Sequence, residues 1–240
     1  MHTLLVARRD LGAHLHGFAG YVTIAAVLFL LGLMYNTWAL GDGAKYSHEV
    51  LEKFFEFTSG FVMVAGVLLT MRSFAEERQL GTDVLLLTSP ASASAIVFGK
   101  YLAALAVMVF MLGLTAYMPA LIFVNGKVAI GHIFVGYLGL VCLASATVSV
   151  GIFASSLFRS QVPAGILAGV ILGTLILAWL LARQAGSPFS DVLSYAALWD
   201  KHFMGFMEGR LQLRSVLYYF ILSFLFLLGT SKVLEGRRWQ

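Results

Sequence analysis

Charge is scarce in this 240-residue sequence: Asp, Glu, Lys and Arg make up 12% of it, against 60% hydrophobic residues and a mean hydropathy of +0.87. Soluble domains carry about 25% charged and about 45–50% apolar residues, so a water-facing surface cannot be built from what remains. The composition excludes a soluble globule and requires a lipid bilayer. Cysteine is nearly absent, and the single Cys142 excludes an intrachain disulfide and a cysteine-cluster metal site. Basic runs are missing too, none exceeding the pairs Arg8-Arg9 and Arg237-Arg238. The net charge of +4 therefore suits flanks that face anionic lipid, not nucleic acid.

The uncharged runs are 18–40, 57–71, 101–124, 133–158, 162–182 and 215–231. A bilayer core needs about 20 apolar residues per helix, so these runs predict an all-α membrane protein with six transmembrane helices in a single domain over 1–240. The second run rises only about 22 Å. It must draw in Phe54 and Phe55, giving a span near 54–72 from which Arg72 snorkels outward. Pro119 predicts a kink or an early end in the third span.

No run contains Asp, Glu, Lys, Arg or His, and all six histidines fall in flanks or loops. Ion-coupled transport needs a charged or titratable group near the membrane midplane, and intramembrane proteolysis needs catalytic side chains there. Both are disfavoured. A P-loop is missing as well: Gly99-Lys100 is followed by Tyr101 and preceded by Ser94 where the motif requires glycine. The Glu-Glu-x-x-x-Arg signature of CAAX-type proteases fails at Gly81. Directional work by such a chain must draw its energy from outside the bilayer.

Flanking segments add detail. Residues 1–16 set Leu4, Leu5, Leu11 and Leu15 among Arg8, Arg9 and Asp10, which predicts a short interfacial helix. Residues 187–212 carry an apolar stripe through Val192, Ala196, Trp199, Phe203 and Phe206 on the outer side, read equally as a re-entrant or interfacial helix pair or as an ordinary surface helix packed on the bundle. Gly165, Gly169 and Gly173 recur every fourth residue, and Ser145 and Ser149 do the same beside Gly151, a spacing that usually serves helix packing or a dimer interface. Termini on the inside collect nine of the sixteen basic residues there and leave seven outside, a weak preference for cytoplasmic termini.

The loop 73–100 carries the most information. It reads as a charged turn with Glu76, Glu77 and Arg78, a C-capping Gly81, an N-capping Thr82 beside Asp83, and a short helix apolar on Leu85 and Leu86 that stops at Pro90. Ser92 or Ser94 is placed to cap the third span. On these residues alone, a solvated linker and a docking helix both remain open.

The run Arg72-Ser73-Phe74, Glu76-Glu77, Gly81-Thr82, Leu85-Leu86-Leu87-Thr88, Pro90 and Gly99-Lys100-Tyr101 resembles the permease subunits of type-2 ABC exporters, in particular the GldF-like, gliding-motility-associated group. Gly151 to Leu157, His202-Phe203 with Gly209, and Arg237-Arg238-Trp239 agree with that group, so the likeness spans essentially the whole chain. It departs at Val84, where relatives carry an acid; here the nearby acid is Asp83.

The resemblance implies the type-2 exporter fold and a non-catalytic permease working as a pair, homodimer or related chain, in a bacterial inner membrane. It implies a coupling helix in the loop 73–100 and a cytoplasmic ABC ATPase dimer that binds ATP and Mg²⁺, with no cofactor or metal in this chain. It leaves room for an auxiliary subunit with a periplasmic domain. Two rival functions follow from the sequence: a mechanotransmission or assembly subunit that uses the aromatic outer segment as a partner surface, and a passive channel or scaffold.

Overall fold

A computed structural model of the chain describes residues 2–16, 18–40, 46–83, 91–184, 186 and 189–238. All regular structure among them is helical: α1 (His2–His16), α2 (Phe18–Met34), which runs into a π-helical turn (Tyr35–Leu40), α3 (Ser47–Thr70), α4 (Ala75–Gln79), α5 (Ala93–Leu114), α6 (Tyr117–Asn125), α7 (Ile130–Leu157), α8 (Gln161–Gln184), α9 (Phe189–Ala196), α10 (Phe203–Met207) and α11 (Leu213–Arg238). Six of these stretches are long and apolar enough to cross a membrane: Gly20–Ala39, Ser47–Gln79, Ala93–Val124, Ile130–Leu157, Gln161–Gln184 and Leu213–Arg237.

The helices outrun the uncharged sequence runs because charge stops burial, not helicity. Thus α3 begins seven residues before Phe54 and carries Glu49, Glu52, Lys53 and Glu56 at that end, where Lys53 pairs with Glu56 at 2.6 Å. Similarly, α5 begins at Ala93, with Ser92 accepting the N–H of Ala95 at 3.2 Å as its N-cap. Lys100 therefore sits two turns inside a spanning helix. It is 4% exposed, which corrects the expectation of a span starting at Tyr101 with no buried charge.

The third span breaks as Pro119 requires. Proline has no N–H to give the Thr115 carbonyl, so α5 ends at Leu114 and α6 resumes at Tyr117. Met118 N–H takes that carbonyl in a tighter turn at 3.0 Å. Tyr35 Oη donates to the Met118 carbonyl at 2.8 Å, anchoring the π-helical end of the first span to the break.

At the centre stands α7, buried on nearly all sides from Leu140 to Ile152. Its small residues allow this: a Cβ on Gly136 would collide with the Phe55 ring, one on Gly139 with Phe206, and one on Gly151 with Thr70 Oγ1. A polar seam joins it to α5 and α11, where Ser145 Oγ lies 2.7 Å from Tyr101 Oη and 2.8 Å from Ser223 Oγ. Such hydroxyl contacts satisfy polar groups where no water is present.

The chain crosses back and forth, so the start of α2, the end of α3, the start of α5, the α7–α8 turn and the end of α11 share one end of the bundle. That end holds α4 and is called the elbow end. At the far end, α10 and the turn after α9 fold inward. Leu198 N–H donates to the Leu175 carbonyl within α8, Tyr219 Oη donates to the Leu198 carbonyl, and Trp199 Nε1 donates to Ser59 on α3. Ala197, Leu198, Phe203 and Phe206 are buried, so α10 and the turn after α9 pack into the bundle, while α9 has no buried residue and lies on the surface.

Candidate functional site

The elbow end gathers most of the residues singled out from the sequence. The charged turn after α3 is itself a helix, α4, containing Glu76, Glu77 and Arg78. It stops as a Schellman turn: Gly81 adopts φ +70°, and Thr82 N–H bonds back to the Glu77 carbonyl at 2.9 Å. Thr82 Oγ1 also donates to that carbonyl, at 3.2 Å, so this residue closes the helix before it. Leu85 and Leu86 lie outside the described residues, as do Val84 and Pro90.

Two contacts brace α4 against α7. Ser155 Oγ accepts the N–H groups of Phe74 and Ala75, each at 3.0 Å, and donates to the Met71 carbonyl at 3.0 Å. One buried hydroxyl thus satisfies orphan donors at the start of α4 and a carbonyl just past the end of α3. Arg78 then donates to the carbonyls of Phe158 at 2.8 Å and Ser156 at 3.3 Å. A cation suits the C-terminal end of α7, where carbonyls lack helical partners. Asp83 lies within electrostatic reach of Arg78 and of Arg237 on α11.

A charge cluster braces α4 against α1 and α5. Lys100 Nζ is 2.9 Å from Asp10 Oδ2, 2.8 Å from the Ser73 carbonyl and 3.0 Å from Glu77 Oε1. It donates hydrogen bonds to the first two and forms an ion pair with the third, and the Phe74 ring lies 5.1 Å away. Arg9 reaches Asp10 Oδ1 at 2.9 Å and Glu77 Oε1 at 2.7 Å. Burial pushes the Asp10 carboxyl up, but Lys100 and then Arg9 outweigh this and hold it below the ordinary carboxylate value, so it is ionised. Among the described residues Glu76 pairs with Arg72 alone, at 3.3 Å and half in solvent, which is a weak contact.

The cluster also packs α1 against the head of α5. Leu4 and Leu5 are exposed, while Val6 and the Thr3 carbonyl press against Gly99, and Asp10 is buried. Arg9, Asp10, Lys100 and Ser155 were not candidate site residues in the sequence. The available signal was small: one acid beside two arginines, and one lysine next to a glycine at the head of a span. Beside the cluster is a cavity of about 750 Å³, lined by Arg9, Asp10, Arg72, Glu76, Glu77 and Lys100 together with apolar residues from α1, α2 and α3.

The glycine row of α8 behaves differently along its length. Gly165 approaches Met71, but a Cβ on Gly169 or Gly173 would meet nothing within 4 Å. Burial within the chain falls instead on the neighbouring row Ala164, Ala168 and Leu172.

No curated protein matches the chain. A family model described as ABC-2 family transporter protein matches residues 19–233, from the first span to the last turns of α11, leaving Arg9 and Asp10 before the matched stretch. With six spans, a braced elbow and a match over most of its length, the chain belongs to the ABC-2 family transporter proteins and is a membrane permease component of that kind.

Proposed function

We propose that the chain is the non-catalytic permease of a type-2 exporter of the GldF-like group, paired in a bacterial inner membrane with both termini cytoplasmic. It is driven by a separate ABC ATPase dimer that binds the ATP and Mg²⁺. The observation that carries this reading is the bracing of α4. Ser155 and Arg78 tie it to α7, and Glu77 ties it to α1 and α5, so a push on the elbow moves helices and not merely a loop. Glu76, Glu77, Arg78, Gly81, Thr82 and Asp83, with Leu85 and Leu86 beyond them, form the coupling element.

The open row at Gly169 and Gly173 supports a second permease copy, since small residues with no neighbour in their own chain let another helix approach closely. Co-purification with the ATPase and an export assay test the assignment. Gly81→Leu forces a side chain into a positive-φ position and should weaken both ATPase association and export. Unchanged association and export in Gly81→Leu and Glu76→Ala contradict it.

One observation favours a second reading, a mechanotransmission subunit that moves an envelope partner. On α9, Phe189 is 72% and Val192 68% exposed, an apolar face at the far end that suits a partner or an auxiliary subunit with a periplasmic domain. Trapped lipid or glycan between two permease copies would argue against this reading.

A further inference from the structure

Arg78, Arg159 and Arg237 meet at one corner of the elbow end from three different elements: α4, the α7–α8 turn and α11. Arg78 lies on the Phe158 carbonyl at 2.8 Å, one residue before Arg159. Arg237 continues the row Phe226, Thr230 and Leu234, which recurs at helical spacing. The Phe226 ring packs on Phe153 of α7 with centroids 5.5 Å apart, and Thr230 and Leu234 are buried, so the row runs along the bundle toward the end of α7. There Arg237 is within electrostatic reach of both Arg78 and Arg159.

Three guanidiniums gathered in this way repel one another, and the described residues set one acid among them, Asp83, leaving a surplus of two positive charges. Lys232 and Glu235 of α11 answer each other at 2.8 Å and leave that surplus as it is. The donors are unspent as well. Arg78 uses Nη1 alone on the Phe158 and Ser156 carbonyls, while its Nε and Nη2 make no hydrogen bond among the described residues and stay open to solvent. The side chains of Arg159, which is exposed, and Arg237, which is half-buried, make no hydrogen bond or ion pair among the described residues.

The surroundings of the patch select among anions. It stands where one span ends and the next begins, and Leu157 and Val162, on either side of Arg159, are 39% and 69% exposed. The carboxylates of a soluble partner match the charge alone. A phospholipid matches both, with phosphate on the guanidinium forks and acyl chain along the aliphatic side chains. Two surplus charges call for two phosphates. We infer that Arg78, Arg159 and Arg237 bind the headgroup of an anionic phospholipid that carries two phosphodiesters, as cardiolipin does. The bound headgroup ties α4 to α11 across the end of α7. This site does not rest on the ATPase assignment, because lipid binding is measured on the permease alone.

The full chain in mild detergent, titrated with lipid and read by native mass spectrometry, provides the test. Cardiolipin, phosphatidylglycerol and phosphatidylethanolamine are compared on the unaltered protein, on Arg159→Gln, on Arg237→Gln and on the double variant. Neither arginine holds another residue in place, so both variants should fold, and Arg78, which caps α7, is left intact. Cardiolipin should bind tightest. Each single variant should weaken it about fivefold and the double variant about 25-fold, the ratios for one and two arginines at an anionic lipid surface, while phosphatidylethanolamine binding stays unchanged. The acyl chains are the same for every variant, so the loss isolates the headgroup. Cardiolipin binding no tighter than phosphatidylglycerol, cardiolipin binding unchanged in the double variant, or inorganic pyrophosphate bound as tightly as the lipid would overturn the inference. Unchanged lipid binding with weakened ATPase association in the double variant would give the patch to the ATPase instead, and overturn it equally.

Discussion

Lys100 shows how one side chain changes the reading of a whole end of the molecule. Its ammonium is buried yet fully partnered, and removing one member of such a cluster leaves the opposite charges stranded in a poor solvent. Lys100→Met should therefore lower stability by about 3–5 kcal/mol, measured as a denaturation midpoint in detergent. Ser155→Ala should cost about 1–3 kcal/mol in the same assay, since it orphans the Phe74 and Ala75 N–H groups. The depressed Asp10 pKa adds a sign: its contribution is complete above the unfolded value near ~3.9 and is lost as pH falls below it. None of these three residues was legible as a site. A lysine at the head of an apolar run reads as a membrane-edge flank, and only the longer observed helix, with α1 folded against it, makes Lys100 internal.

Whole elements were easier to foresee, because they rest on periodicity and punctuation carried by many residues. The six spans, the break at Pro119 and the Ser92 cap follow from run length, a missing N–H and a capping hydroxyl. The elbow was legible in part: Gly81 ends α4 as its conformational freedom allows, but the brace from Ser155 comes from some 80 residues further along the chain. The far-end pair α9–α10 left two readings open, and what fixes its place is tertiary: the Leu198, Trp199 and Tyr219 bonds seat the turn between the helices in the bundle, while α9 stays on the surface. His202 anchors this pair, stacked on Tyr218 with ring centroids 3.9 Å apart and accompanied by the Tyr195 carbonyl at 3.0 Å. Burial depresses its pKa below the ordinary histidine value, the Tyr195 hydrogen bond opposes this, and Arg214 and Lys201 add to the depression. The unfolded chain therefore takes up protons first. Stability from this site is complete above about pH 6.5 and falls as pH drops below it. Thermal midpoints across pH 5–8 should show that decline, and His202→Gln should flatten it.

For the molecule as a whole, the absence of charge at the middle of the spans and its concentration at the ends divide the labour. The bundle around α7 is packed too tightly at Gly136, Gly139 and Gly151 to give way locally, so motion entering at α4 must move helices as bodies. A Gly151→Val substitution, pressed against Thr70, should cost about 1–3 kcal/mol by the same stability assay. The account as a whole depends on the elbow facing the compartment that holds the nucleotide. Labelling tests this most directly: Thr82→Cys sits at the exposed tip of the elbow, while the native Cys142 is buried. A membrane-impermeant maleimide should modify Thr82→Cys in inside-out vesicles, with the modification suppressed once the ATPase is bound, and should leave it untouched in intact spheroplasts. Modification from the outside of intact spheroplasts, or labelling indifferent to the ATPase, would contradict the account.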